Sequence, residues 1–256
     1  RKDAVLNRMY EDWYITQDQL KRAFADGLVL KLKSPIVQIK APHFVFWIRD
    51  LLLNGDPRFK DIGVTEEMLN EWGIKIKTTL DLDIQEVAEK SIKDNMPILY
   101  DRWGNNRSLL HIDTTNGDVL AYVWSADYNN IQIQWQNDMV RNPRQPWSSV
   151  KPLVYAYALQ SMPLTIDTPI YDIPLTVWSF TPNNADGKFE WLLPLREALA
   201  HSRNIPAVKA YFAAGKEPEI KPFLQSLGLK SLRNNNSYGY SLALWAGEVP
   251  MLEMAQ

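Results

Sequence analysis

The hydrophobic period of this chain changes repeatedly between Gly73 and Ala156, and that succession constrains the fold more than any single residue does. The run Ile74-Lys75-Ile76-Lys77-Thr78-Thr79-Leu80 alternates and is rich in β-branched residues, which predicts a strand. From Asp83 to Tyr100 the apolar residues Ile84, Val87, Ala88, Ile92 and Met96 recur at helical spacing. Ser108 to Asp113 and Asp118 to Val123 flank Thr114-Thr115-Asn116-Gly117, where Asn-Gly supplies the positive φ a tight hairpin needs. An apolar, helix-patterned segment then opens at Ser148. Strand, helix, hairpin and helix in that order predict an α+β domain.

The flanks are more helical. Val5 to Phe24 reads as two amphipathic helices, the second with Thr16 as cap and Gln19 completing a capping box. Glu11-Asp12-Trp13-Tyr14 joins them where a C-terminal glycine is expected. Lys31 to Pro42 reads as a linker or edge strand, Pro42 to Asn54 as a short aromatic stretch, and Thr65 to Glu71 as a helix with a second capping box. Downstream, Thr165 to Phe180 reads as proline-punctuated loop and short strand. Leu195 to Phe212, Glu217 to Leu227 and Ser241 to Gln256 read as helices, and Asn234-Asn235-Asn236 as a loop.

Composition removes several classes of function. The 256 residues are 46% hydrophobic, enough for a sizeable core. A net charge of −2 gives no basic excess, so neither nucleic acid nor anionic lipid is favoured as a partner. With no cysteine there is no disulfide framework, thiolate metal site or cysteine nucleophile. His43, His111 and His201 lack metal-ligand spacing and read as packing or surface residues, so no metal or cofactor is expected. The apolar runs His43 to Trp47 and Leu51 to Leu53 fall far short of the roughly 20 residues that span a bilayer. The chain starts and stops inside helical patterns without a signal peptide, and reads as an internal fragment.

Chemistry is concentrated in Gln145-Pro146-Trp147-Ser148-Ser149-Val150-Lys151-Pro152, where a loop runs into a helix. Ser148 and Lys151 stand three residues apart, so both side chains fall on one face of the first turn. A serine hydroxyl reacts only when its proton is taken, and a lysine whose pKa is lowered by burial or by a second cation can take it. Alone, the spacing fits a capped helix with a solvated lysine better. Asp81 and Asp83 lie where a strand meets a helix, and capping is their expected role.

Further residues give the spacing a context. Lys77-Thr78-Thr79-Leu80-Asp81-Leu82-Asp83-Ile84-Gln85, Ile39-Lys40-Ala41-Pro42-His43-Phe44-Val45, the run Val5 to Thr16, and Ala198-Leu199-Ala200-His201-Ser202-Arg203-Asn204-Ile205-Pro206 together resemble the class A penicillin-binding proteins. These are bifunctional bacterial enzymes that polymerise and crosslink peptidoglycan. Ser-x-x-Lys followed by Ser-x-Asn is the order of their first two motifs. The resemblance implies a transpeptidase fold with helices around an antiparallel sheet, and three regions. These are a glycosyltransferase tail over 1–30, a linker over 31–72, and a transpeptidase domain over 73–256.

It also implies a mechanism. Ser148 would attack the carbonyl between the terminal D-alanines of a stem peptide, with Lys151, not His201, accepting its proton. Ser202 would relay a proton to the departing D-alanine, Asn204 would hold the substrate amide, and the acyl group would pass to a neighbouring stem peptide's amine. β-Lactams would trap the same serine. The implied location is the outer face of the cytoplasmic membrane, anchored by a segment absent from this chain.

Two departures stand out. The third family motif, Lys-Thr/Ser-Gly, is absent, as are the glutamates of glycosyl transfer, so the chain by itself is expected to polymerise nothing and to have an incomplete acyl-transfer site. Tryptophan occurs 10 times against 11 glycines, and Trp13, Trp72, Trp124, Trp135, Trp147, Trp191 and Trp245 stand where the family commonly has glycine. One cause would explain them, an opal codon decoded as glycine in the source bacterium. A divergent, inactive homologue is the alternative account of the tryptophans. For function, the alternatives are a non-catalytic scaffold that binds cell wall, or another serine acyl enzyme such as a β-lactamase or carboxypeptidase, against which the residues before Gly73 argue.

Overall fold

The computed structural model describes residues 2–25, 39–54, 56–133, 137–177, 180–233 and 237–256; residues 31–38 of the expected linker, Trp135 and Asn234 to Asn236 lie outside the described residues. Contacts divide the chain into Arg1–Lys40 and Ala41–Gln256. In the first unit, α1 (Lys2–Glu11) and α2 (Gln17–Ala25) are the two expected helices. The capping box forms in both directions: the Thr16 amide donates to Gln19 Oε1 at 2.8 Å and the Gln19 amide to Thr16 Oγ1 at 3.3 Å.

The second unit opens on a helix. Residues 42–53, read as linker, form α3 (Pro42–Leu53), with Pro42 in its first turn and His43, Phe44 and Trp47 on the buried face. Trp47 stacks on Tyr122 at 4.4 Å, which joins α3 to the hairpin. At α4 (Glu66–Glu71) Thr65 caps the Met68 amide at 3.2 Å, but the third residue is Met68, which has no carboxylate to return the bond, so the box is only half made.

The expected strand over 74–80 is not one. Its residues are exposed or nearly so, and the next backbone bond towards the hairpin is Asp81 N to Leu120 O at 3.0 Å, with Thr79 Oγ1 donating to Val119 O at 2.7 Å. Alternation makes a strand only where a ladder receives it. The helix that follows, α5 (Leu82–Tyr100), opens with Asp81 accepting from the amides of Asp83 and Ile84, the role expected of it. The hairpin forms as expected from β1 (Leu109–Ile112) and β2 (Val119–Val123), antiparallel, with Gly117 at φ 80° in the turn.

Buried Gln85 ties α5 to that hairpin. Its Oε1 accepts from the Tyr122 amide at 2.8 Å and its Nε2 donates to the Tyr122 carbonyl at 3.3 Å, so one side chain completes a backbone pair that β1 does not reach. Ala88, Ile92 and Met96 then pack α5 on Ala121 and Val123.

The larger core lies among α6 (Lys151–Ser161), α8 (Asn204–Ala213) and α9 (Glu217–Ser226), where Val150, Val154, Tyr155, Ala207, Val208, Tyr211, Ile220 and Leu224 are buried together. The helix expected over 195–212 is two, α7 (Leu195–Ala200) and α8, separated by a turn at Ser202. The one expected from Ser241 becomes a 3-10 turn, Gly239–Ala243, and the short α10 (Met251–Ala255). A second antiparallel pair, β3 (Pro169–Asp172) with β4 (Trp191–Pro194), lies beside α7 and α8. The α+β class holds, with the antiparallel pairing among the described residues split into two two-stranded ladders.

Replacing Gln85 by alanine leaves the Tyr122 amide and carbonyl without partners in a buried place. Urea unfolding is expected to show a loss of about 1–3 kcal/mol.

Candidate active site

Ser148 lies in a 3-10 turn, Trp147–Val150, and Lys151 is the first residue of the α-helix. The Lys151 amide closes that turn on the Ser148 carbonyl, and the Ser149 hydroxyl donates to the Pro146 carbonyl. Val150, Val154 and Ala158 anchor α6 in the core, and the same face carries Lys151 inward until it is 1% exposed. Ser148 itself is exposed, one turn earlier in the chain. Among the described residues its hydroxyl makes no direct hydrogen bond to Lys151.

The other side of the site comes from the turn between α7 and α8. Ser202 adopts φ 53°, its amide bonding to Leu199 O and the Arg203 amide to Ala198 O, both at 2.9 Å. This Schellman pattern ends α7 and turns the chain into α8 at once. The reversal aims three acceptors at one ammonium: Lys151 Nζ donates to Ser202 O at 2.6 Å, Asn204 Oδ1 at 2.6 Å and Ser202 Oγ at 3.1 Å. Lys151, Ser202 and Asn204 therefore meet, and Ser148 precedes Lys151 by one 3-10 turn. Burial, and after it the neighbouring Arg203 guanidinium, lower the Lys151 pKa to about 8. Two of its three partners can only accept; the Ser202 hydroxyl can accept or donate.

Residues that the motif spacing did not reveal hold this arrangement. Arg203 is buried against Asp172, Nε to Oδ2 at 2.8 Å, and also reaches Asp186 at 3.1 Å and the Lys188 carbonyl. Asp172, fully buried at the end of β3, further accepts from Asn184 Nδ2 at 2.9 Å and the Glu190 amide at 3.0 Å. Asn184 Oδ1 takes the Asn204 amide at 2.7 Å, and Asn204 Nδ2 donates to Asn183 O at 2.7 Å. The only advance signal was Arg203 itself, the middle residue of Ser-x-Asn. His201 faces outward, paired with Glu190 at 2.7 Å. His43 is buried among aromatic rings, where desolvation lowers its pKa to about 4. No cluster fit for a metal ion occurs among the described residues.

Ser-x-x-Lys at a helix start and Ser-x-Asn at a helix turn, in this order, are the first two motifs of the penicillin-binding proteins and the related β-lactamases. Residues 108–240 match the family described as Penicillin binding protein transpeptidase domain. Penicillin-binding protein 1A/1B of Bacillus subtilis is 30% identical over 253 residues, covering 96% of this chain and 26% of that protein. The crystal structure of penicillin-binding protein 1A from Haemophilus influenzae superposes with a TM-score of 0.72 at 21% identity, over 99% of this chain and 50% of that one. The structure of PonA1 from Mycobacterium tuberculosis in complex with penicillin V gives 0.67 at 20% identity, over 83% and 57%. The chain belongs to the penicillin-binding protein transpeptidase family, in its class A branch. It spans about a quarter of the length of the Bacillus subtilis relative.

Asp172→Asn keeps the shape of the buried pair and removes its negative charge, leaving the Arg203 guanidinium without its nearest counter-ion. A loss of about 3–5 kcal/mol in denaturant unfolding is expected.

Proposed function

We propose that this chain carries the donor half of a D,D-transpeptidase, acting through a serine acyl-enzyme on peptidoglycan stem peptides and acylated by β-lactams at the same serine. The observation that carries the reading is the convergence of Lys151 Nζ, Ser202 and Asn204 one helical turn from an exposed serine. In the proposed reaction Ser148 Oγ attacks the carbonyl carbon of the D-Ala-D-Ala bond while Lys151, as the neutral amine, takes its proton. The bond to the leaving amine then breaks, and the proton reaches that nitrogen through the Ser202 hydroxyl, the one partner of Lys151 able both to accept and to donate.

Asn204 has its Oδ1 committed to Lys151 and its Nδ2 to Asn183 O. We therefore give it the positioning of Lys151 first, and contact with the substrate amide only after rearrangement. An amine from a second stem peptide releases the acyl group and restores Ser148. Relative to the family motifs, residues 73–256 are assigned to the transpeptidase domain and residues 1–30 to the tail of a glycosyltransferase domain. The proposed location is the outer face of the cytoplasmic membrane. Among the described residues no helix is long and apolar enough to cross a membrane.

Labelling the full-length gene product with a fluorescent penicillin and mapping the modified peptide tests the reading. Label on Ser148, abolished in Ser148→Ala, is the expected outcome; a folded protein that takes no label supports the non-catalytic scaffold instead. The base form of Lys151 predominates above its pKa of about 8, so the acylation rate is expected to rise with pH through that region. Lys151→Ala, which removes the base, is expected to slow acylation about 10²- to 10⁴-fold, read by stopped-flow or quench.

A further inference from the structure

Four tryptophans hold the backbone in the left-handed region: φ is 63° at Trp13, 63° at Trp103, 52° at Trp147 and 63° at Trp191. Glycines of the same chain take the same angle, 60° at Gly63, 61° at Gly73 and 68° at Gly187. A residue with a Cβ is uncommon there because that atom crowds the following carbonyl oxygen, and a bulky one is an outlier. Four of the eight described tryptophans are such outliers.

The local hydrogen bonds ask for glycine independently. After α1, the Trp13 amide bonds to Tyr10 O at 3.1 Å and the Tyr14 amide to Met9 O at 2.9 Å. After α5, the Trp103 amide bonds to Tyr100 O and the Gly104 amide to Leu99 O, both at 3.0 Å. Both are Schellman endings with tryptophan in the left-handed place that is usually glycine.

Nor does packing offset the strain. The four residues are 92%, 98%, 63% and 71% exposed, so the indoles bury little of the surface that makes tryptophan useful. Trp47 is the internal contrast. It is helical, 7% exposed, stacked on Tyr122 and edge-on to Phe44 at 5.5 Å.

We infer that residues 13, 103, 147 and 191 are glycine in the protein as its source cell makes it, the opal codon being decoded there as glycine, and that Trp47 is a true tryptophan. TGA differs by one base from the tryptophan codon TGG and by one base from the glycine codon GGA. A single change in the tRNA that reads it therefore converts every such position together. Trp103, which the sequence pattern did not single out, joins the set through its backbone. Trp72, Trp124 and Trp245 do not have a left-handed backbone and stand outside the set.

The consequence for the site is at residue 147. Glycine holds the left-handed φ before Ser148 without strain and removes an exposed indole next to the proposed nucleophile. That consequence rests on the function proposed above, whereas the assignment of the four residues does not.

Tandem mass spectrometry of the protein purified from its source cell, with the gene's codons read at the same positions, tests the inference. Glycine masses at 13, 103, 147 and 191 with TGA codons, and a tryptophan mass at 47 with TGG, are expected. A tryptophan mass, or a TGG codon, at any of the four overturns it. The mass spectrum makes no reference to acylation, so a failure of penicillin labelling would count against the proposed function alone.

Discussion

The candidate site depends on one buried ion pair, Arg203 with Asp172. Asp172 ends β3, and Arg203 sits between the two residues of the second motif, so the pair fixes a sheet edge to the turn that presents Ser202 and Asn204. Two charges this far from water are stable only when their remaining hydrogen-bonding capacity is filled. Here the Asn184 amide, the Glu190 backbone amide and the Lys188 carbonyl fill it. The same Asn184 bonds the Asn204 amide, which links the structural pair to the chemical cluster through a single side chain.

Arg203 therefore acts on Lys151 in two ways. It sets the geometry of the acceptors around the ammonium, and its own positive charge disfavours the protonated lysine. A lysine surrounded by three oxygens would ordinarily remain protonated. Burial and a neighbouring cation oppose those oxygens, which brings the amine near the pH at which it can exchange a proton.

How much of this could be read from the sequence follows from how local each determinant is. The hairpin, the Asp81 cap, the capping box at Thr16 and the helix over 82–100 rest on contacts within a few residues, and the pattern foretold them. The segment 74–80 shows the opposite case: its alternation is plain, but a strand needs a partner that no local pattern records. α3 does not stand out in the sequence because its aromatic residues look irregular until Trp47 and Phe44 find Tyr122 and each other. At the site, Lys151, Ser202 and Asn204 were visible as motif members. Asp172 and Asn184 were not, since they lie in loop and strand ends without motif spacing and gain their role only through long-range contact.

The pairing of Gln85 with Tyr122 bears on how the chain behaves in a crowded solution. A two-stranded ladder has free amides and carbonyls along its outer edge, ready to accept a strand from another molecule. On β2 that row is occupied: Thr79 holds the Val119 carbonyl, the Asp81 amide holds that of Leu120, and Gln85 takes both groups of Tyr122. A side-chain amide here does the work of a neighbouring strand without offering an edge of its own. Along this stretch, a residue that seats a helix also leaves less edge for a strand from another molecule to join.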